Sequence, residues 1–351
     1  MYRRDFIKNT VLTGMALSVP LPLAEMGNQK MGIVVHSYAI RWNSKIQSAK
    51  YPGFKSALDL LDHATLVNAG GIQTMVQDWS ADFVKQVRDK REKLGLYLEG
   101  SVSLPKTMDD VPKFEALILN AKEAGAQILR SVTLGPRRYE TFKTMKAFID
   151  YKKQAIFSLQ LAEPILKKYK VKLGVENHKD LRSDEMVTIL KTIDSEWIGV
   201  TLDFGNNIAI LEDPLAVAEN LAPYVFSTHI KDMAVDEYAN GFLLSEVPMG
   251  TGICDLKKMV EVCKKHNPNV SFNLEMITRD PLEIPVFTKD YWITFGDIPA
   301  TDLSNMMMLV KLKKSSGLPI ISTLPDEQKL AREDENIIEC IRHSREKLSM
   351  M

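Results

Sequence analysis

The sequence predicts an α/β fold, a closed (β/α)8 TIM barrel with an additional helix at its carboxyl end, and three observations carry that expectation. Short apolar runs, each of the length of a buried parallel strand, alternate eight times with charged, amphipathic stretches. No glycine-rich phosphate-binding turn follows the first run, which argues against an open doubly wound sheet. The last four runs, VKLGVE, IGVTLD, VFSTH and VSFNLE, end one by one in Glu176, Asp203, His229 and Glu275. Closing a parallel sheet brings the carboxyl ends of its strands to one mouth, so these four donors would meet there.

Taken in order, Met31 to Tyr38 is the first expected strand, followed by helical spacing from Phe54 to Ala69 that Gly70 and Gly71 stop. Gly71 to Val76 and a helix from Ala81 to Leu94 come next. Gly95 to Val102 precedes a helix over Asp110 to Ala124, closed by Gly125. Ala126 to Val132 precedes a long charged helix that reaches Tyr169. Val171 to Glu176, Ile198 to Asp203, Val225 to His229 and Val270 to Glu275 complete the strands. Helices at Ser183 to Asp194, Pro214 to Leu221 and Leu256 to His266 separate these last four. Thr278 to Pro299, with the aromatic pair Tyr291 and Trp292, reads as a long loop after the eighth strand, where active-site loops belong. The charged segment Glu327 to Leu348 is the additional helix, expected on the outside or bottom of the barrel or against a second subunit.

Composition narrows the function classes. The 351 residues are 45% hydrophobic, enough for a substantial core, and 45 basic side chains balance 45 acidic ones. No global field therefore favours nucleic acid or an acidic membrane surface. Cys254, Cys263 and Cys340 are too few and too irregularly spaced for a disulfide framework or a thiolate zinc site. The amino terminus, MYRRDFIKNT followed by the apolar VLTGMALSVPLPLA, has a charged start and a run too short to span a bilayer. Residues 1–26 are therefore expected to be an export signal of the twin-arginine type, and 27–351 the barrel domain, located in the periplasm without stable insertion of the mature chain in the membrane.

Two glutamates, an aspartate and a histidine make a hard, mostly anionic pocket. Its oxygen-rich character suits one divalent metal ion, Mn²⁺ first, with Mg²⁺, Co²⁺ or Zn²⁺ as alternatives. With VENH at Glu176, LDFGN at Asp203, THIKD at His229, VPMGTGICDL at Gly250 to Leu256 and NLEM at Glu275, the chain resembles the xylose isomerase-like barrel superfamily, in particular its sugar phosphate isomerase/epimerase branch. The resemblance covers nearly all of the mature chain. It implies that Glu176, Asp203, His229 and Glu275 hold one metal ion and that Glu176 and Glu275 double as the acid/base pair. Such chemistry removes a proton beside a carbonyl and stabilises an enediolate. Relatives of this barrel often dimerise, which leaves a homo-oligomer open.

Lys231 and His178 are the neighbouring groups that would orient substrate oxygens or shuttle protons, although an ion pair with Asp232 or a strand-end carboxylate explains Lys231 equally well. His36 and Tyr38 on the first strand, Glu99 on the third, Arg130 on the fourth, Asn206 and Arg279 are substrate-binding candidates. Arg279 has Asp280 as an alternative partner. Asn206 stands where many epimerases of the family have histidine, so their specificity does not carry over directly. Three rival readings stand beside this one. A tri-zinc DNA repair endonuclease of the same fold lacks its further histidines here. A metal-dependent lyase or hydrolase acting on 3-keto-glycosides by β-elimination shares the first proton abstraction, with His178 as the acid for the leaving group. An exported sugar-binding protein without catalysis would have little need of all four ligands. A small sugar or keto-glycoside is thus the expected partner, and nucleic acid is not.

Overall fold

Alternating apolar and amphipathic segments close into a barrel of eight parallel strands. The computed structural model describes residues 30–42, 44–296 and 298–350, so the expected export signal lies outside the described residues. In chain order the elements are β1 (Gly32–Val34), α1 (Ala57–Leu66), β2 (Gly71–Met75), α2 (Ala81–Leu94), β3 (Tyr97–Ser101), α3 (Val111–Glu123), β4 (Ile128–Ser131), α4 (Arg138–Thr141), α5 (Met145–Tyr169) and β5 (Lys172–Glu176). They continue with α6 (Ser183–Ile193), β6 (Ile198–Asp203), α7 (Pro214–Leu221), β7 (Val225–Ile230), β8 (Asp232–Tyr238), β9 (Gly241–Val247), α8 (Leu256–His266), β10 (Ser271–Leu274), β11 (Leu282–Ile284), α9 (Ala300–Lys313) and α10 (Asp326–Leu348). The barrel runs β1 to β7 in sequence and closes through β10 back onto β1.

Local chemistry sets the helix ends. Ser56 and Asp59 form a reciprocal capping box at the start of α1, and the Ser80 and Thr144 hydroxyls accept the Phe83 and Ala147 amides at α2 and α5. Gly95 ends α2 at φ 67°, a left-handed conformation that costs glycine little. Register then aligns the mouth. Asp203 lies directly opposite His229 on the neighbouring strand, and the Glu275 amide continues the ladder by donating to the Ile230 carbonyl at 3.0 Å.

Three departures from the expected elements matter. The first strand is only three residues long, and Val35–Tyr38 folds into a 3-10 turn. An antiparallel sheet of β8, β9 and β11 stands beside the barrel, where no strands were expected. It gathers a second hydrophobic cluster that includes Tyr139, Ile208, Phe242, Ile284, Tyr291 and Phe295. Tyr291 is buried there with its hydroxyl on the Ala209 carbonyl, and Trp292 packs at its edge, so the aromatic pair builds core.

The additional helix, α10, lies on the outside of the barrel against α8 and the turn after β1. Glu333 accepts the Ile40 and Arg41 amides at 2.7 and 3.1 Å, and Asp334 pairs with Arg41 at 2.9 Å. Among the described residues no helix is long and apolar enough to cross a membrane.

Candidate metal centre

Glu176, Asp203, His229 and Glu275 do meet at the carboxyl end of the barrel, each offering a ligand atom within 4.8 Å of the others. All four are buried. Each is held by neighbours that fix its orientation. Glu176 receives Arg130 Nε at 2.6 Å on one oxygen and Asn206 Nδ2 at 3.0 Å on the other. Asp203 Oδ1 accepts the amides of Gly205 and Asn206 at 2.9 and 2.7 Å. Lys231 Nζ lies 2.7 Å from Asp203 Oδ2 and 2.6 Å from Glu275 Oε2. The other oxygen of Glu275 faces His36 Nδ1 at 3.1 Å.

His229 shows what the cluster is built to hold. Its Nε2 lies 2.7 Å from Gln73 Oε1, and the Gln73 amide cannot be turned round because its Nε2 donates to Glu99 at 2.9 Å. The imidazole must therefore carry a proton on Nε2, which leaves Nδ1 for the pocket. That buried Nδ1 has no hydrogen bond and lies 3.4 Å from both Glu176 Oε2 and Glu275 Oε1. A lone pair against two carboxylates is repulsive unless a positive charge stands between them, so either a proton or a cation belongs there. Burial works to lower the His229 pKa, yet the charges of Glu275 and Glu176 push it up to about 9. Three carboxylates and one tautomer-fixed imidazole fit a hard or borderline divalent ion. A ligand histidine backed by an amide and a carboxylate is the usual outer layer of such a centre.

The remaining electrostatics follow from burial and partners. Burial opposes ionisation of Glu176 and Glu275, but Arg130 and His229 in the first case, and Lys231 and His229 in the second, hold both well below the ordinary carboxylate range. Burial dominates at Asp203 and lifts it to about 6 despite Lys231. Lys231 loses from burial but gains more from Asp203 and Glu275, and its pKa rises. Of the two partners expected for Lys231, the strand-end carboxylates take it. Asp232 instead accepts the backbone amides of Met233, Gly250, Gly252 and Cys254.

The other candidates divide. His36, Arg130, Asn206 and His178 surround the cluster, and the His36 side chain is 39% exposed, at the open side. Arg279 does not pair with Asp280. It grips Glu246 on β9 at 2.6 and 3.1 Å, while Asp280 accepts the amides of Ile321 and Ser322. Tyr38 is not at the mouth: the 3-10 turn directs its hydroxyl to His63 Nε2 at 2.6 Å, under α1. Glu99 is not a mouth residue either. It sits inside the barrel behind Gln73, saturated by Ser227, Ser271, Gln73 and Asn273, with burial raising its pKa. Its task is to orient Gln73. His178 donates through Nδ1 to the Leu134 carbonyl at 3.2 Å, because a carbonyl can only accept. Its Nε2 therefore carries a lone pair, and burial lowers its pKa to about 4. In this state it is a proton acceptor, so the expected role as leaving-group acid does not match its tautomer.

Sequence reasoning missed Gln73, Asn177, Lys179 and Glu246. Asn177 accepts the Asp203 amide at 2.7 Å and donates to the Asp203 carbonyl at 2.9 Å, which locks β6 to the end of β5. Gln73, at an alternate position of a strand, and Asn177, next to Glu176, carry the barrel-interior spacing that could have found them. Glu246 lies on the unforeseen hairpin.

Residues 71–291 match the family described as xylose isomerase-like TIM barrel. The chain belongs to that family. It is 24% identical over 248 residues to 3-oxo-isoapionate decarboxylase of Pectobacterium atrosepticum, covering 69% of this chain and 84% of that protein. Among solved structures, D-psicose 3-epimerase in the presence of D-fructose superposes with a TM-score of 0.58 at 14% identity, covering 91% of this chain and 99% of that one. A xylose isomerase-like barrel protein from Mycobacterium smegmatis in complex with magnesium gives 0.55 at 14% identity, covering 80% and 98%. The IOLI protein with a binding zinc atom gives 0.52 at 14% identity, covering 90% and 99%. At these identities the structural likeness speaks to the fold. The proteins it resembles include sugar 3-epimerases and a decarboxylase.

Proposed function

We propose that the chain is a divalent-metal-dependent enzyme that removes a proton beside the carbonyl of a sugar or sugar derivative and returns it, as an isomerase or epimerase. The observation that carries this reading is the tautomer-fixed Nδ1 of His229 facing two carboxylates with no hydrogen bond. When bound, a divalent ion supplies neutralisation of the charge that develops on the substrate oxygens. Mn²⁺ is the first choice on the donor set.

The chain's residues divide the proton work. Glu176, fully buried and clamped by Arg130 and Asn206, holds any proton it takes away from water. Glu275 touches the half-exposed His36 and so has a route by which its proton exchanges with solvent. Lys231 stays charged between Asp203 and Glu275 and stabilises negative charge on substrate oxygens. The decarboxylase relative supports a second reading, a lyase that loses a group beside the same ketone. Loss of CO2 beside a ketone leaves the bonding pair on the same kind of enediolate, which Lys231 stabilises in the same way, and that carbon then takes a proton from water.

The test incubates the purified protein with D-fructose, D-psicose and keto-acid derivatives in D2O, alongside elemental mass spectrometry. Deuterium at the carbon next to the carbonyl and one divalent ion per chain support the proposal, and released CO2 or aglycone favours the lyase. Full activity in both Glu176→Gln and Glu275→Gln would sink the two-glutamate mechanism. Export by the segment 1–26 is likewise our proposal, checked by fractionating cells that carry Arg3→Lys, Arg4→Lys.

A further inference from the structure

Lys179 is the one basic side chain at the mouth without a carboxylate of its own. Arg130 pairs with Glu176, Arg279 with Glu246, and Lys231 with Asp203 and Glu275. Among the described residues Lys179 makes no ion pair, and its Nζ hydrogen-bonds only to Asn206 Oδ1. It is nevertheless 5% exposed. A buried ammonium on a single neutral acceptor is unfavourable unless something else completes it.

The surroundings hold that ammonium in place. Lys179 has φ 65°, a left-handed conformation that is rare for a side chain with Cβ. Asp180 enforces it: Oδ1 accepts the His178 and Leu181 amides at 3.1 and 2.8 Å, and Oδ2 accepts the Thr133 and Tyr151 hydroxyls at 2.9 and 2.6 Å. The Arg138 amide donates to the Lys179 carbonyl at 3.1 Å. Asn206 is fixed as well, because its Nδ2 donates to Glu176 and its Oδ1 must then face Lys179, with Lys231 Nζ at 3.5 Å. Lys179 Nζ is thus joined to the ligand carboxylate of Glu176 through the side chain of Asn206.

Charge at the mouth points the same way. Arg130, Lys179, Lys231 and Arg279 stand against Glu176, Asp203, Glu275 and Glu246, so a divalent ion leaves the mouth net positive. Resting on the reading above, we infer that the substrate carries a carboxylate and that Lys179 receives it, making this enzyme one for keto sugar acids. A phosphate dianion fits less well, since it needs several donors. The amides of His178, Leu181, Arg182 and Ser183 in this loop are already spent on Asp180, Glu185 and Glu212. Burial and Lys231 lower the Lys179 pKa to about 8, consistent with an ammonium that lacks its counter-ion.

The experiment compares D-gluconate with D-glucitol, which differ only in the terminal carboxylate, by calorimetric titration of the metal-loaded full chain at low salt. Gluconate should bind at least tenfold more tightly than glucitol. Lys179→Met should reduce that preference below threefold and Lys179→Arg should restore part of it; Lys179→Gln serves if the Met variant fails to fold. No preference in the parent protein, or an undiminished one in the Met and Gln variants, would overturn the inference. Inorganic phosphate displacing gluconate more strongly than acetate would overturn the choice of carboxylate. Metal content is read separately: a gluconate preference that depends on Lys179 in a chain that binds no metal would sustain the anion site and sink the metal-enzyme reading.

Discussion

Replacing Gln73 by Leu tests the core of the site without touching a ligand. Gln73 Oε1 accepts the Nε2 proton of His229 at 2.7 Å, and its amide donates to Glu99 at 2.9 Å. Leucine is close in volume but leaves the buried His229 N–H unpaired, while Glu99 Oε2 keeps its donors Ser227 and Asn273. An unsatisfied buried donor costs about 1–3 kcal/mol, so the folded state should lose that much with or without metal. Affinity should fall for a different reason. Without the acceptor, the neutral imidazole formed when His229 gives up its extra proton can keep the remaining one on Nδ1 or turn, and binding must reverse that change. Loss of such a supporting partner weakens metal binding by roughly 10- to 100-fold. Competition against a fluorescent chelator gives the dissociation constant, and urea denaturation of the metal-free protein gives the stability. A variant less stable but within twofold of the parent in affinity would refute the tautomer argument and reduce Gln73 to packing.

Metal affinity should also rise with pH. With His229 at about 9 in the metal-free protein, its proton must leave on binding, so the apparent dissociation constant should fall roughly tenfold per unit between pH 6.5 and 8.5; a flat profile in the chelator competition would contradict it. Asn177→Ala removes three buried hydrogen bonds, to the Asp203 amide, the Asp203 carbonyl and Asn207. At about 1 kcal/mol each it should destabilise by about 3 kcal/mol in urea melts, and a loss under 1 kcal/mol would show that β6 is held otherwise. Glu333 is pushed by burial from 4.5 up to about 8, so the folded chain holds its proton where the unfolded chain has lost it. Its contribution therefore decreases as pH rises from about 4.5 to about 8. The urea midpoint of Glu333→Gln should fall less between pH 6 and 8 than that of the parent, and equal slopes would exclude the effect.

The barrel was legible because its physics is local and repeated. Each parallel strand is buried on both faces and reads as an apolar run, and several outer helices carry their own caps, as at Ser56, Ser80 and Thr144. The four ligands were legible because each terminates such a run. The β8–β9 hairpin was not foreseen, although Asn240-Gly241 between two apolar-polar alternating runs marks a turn. Expecting helices between all strands hid that period-two pattern. Tyr38 misled for a simpler reason: Met31 to Tyr38 reads as one apolar strand-like run, but the barrel needs only Gly32–Val34 for pairing, and the chain then turns outward. Gln73 and Glu99 could not be ranked from sequence. Inside a barrel, polar residues that touch a ligand and those that orient one share the same spacing.

Arg130, Lys231 and the proton on His229 place positive charge directly against the three carboxylates of the cluster. Without such counter-charges, carboxylates this close and this buried would take up protons or force the strand ends apart. The chain therefore supplies its own neutralisation, and the barrel mouth can assemble before any ion arrives. This differs from small metal-folded domains, whose ligands have no other partner and whose folding is metal binding. It also sets a limit on affinity, because an incoming ion must displace a proton from His229 and share Asp203 and Glu275 with Lys231. A centre preassembled by its own cations is suited to reversible loading and to holding substrate oxygens beside Lys231, while Lys179, with no carboxylate committed to it, is left for the substrate's own charge.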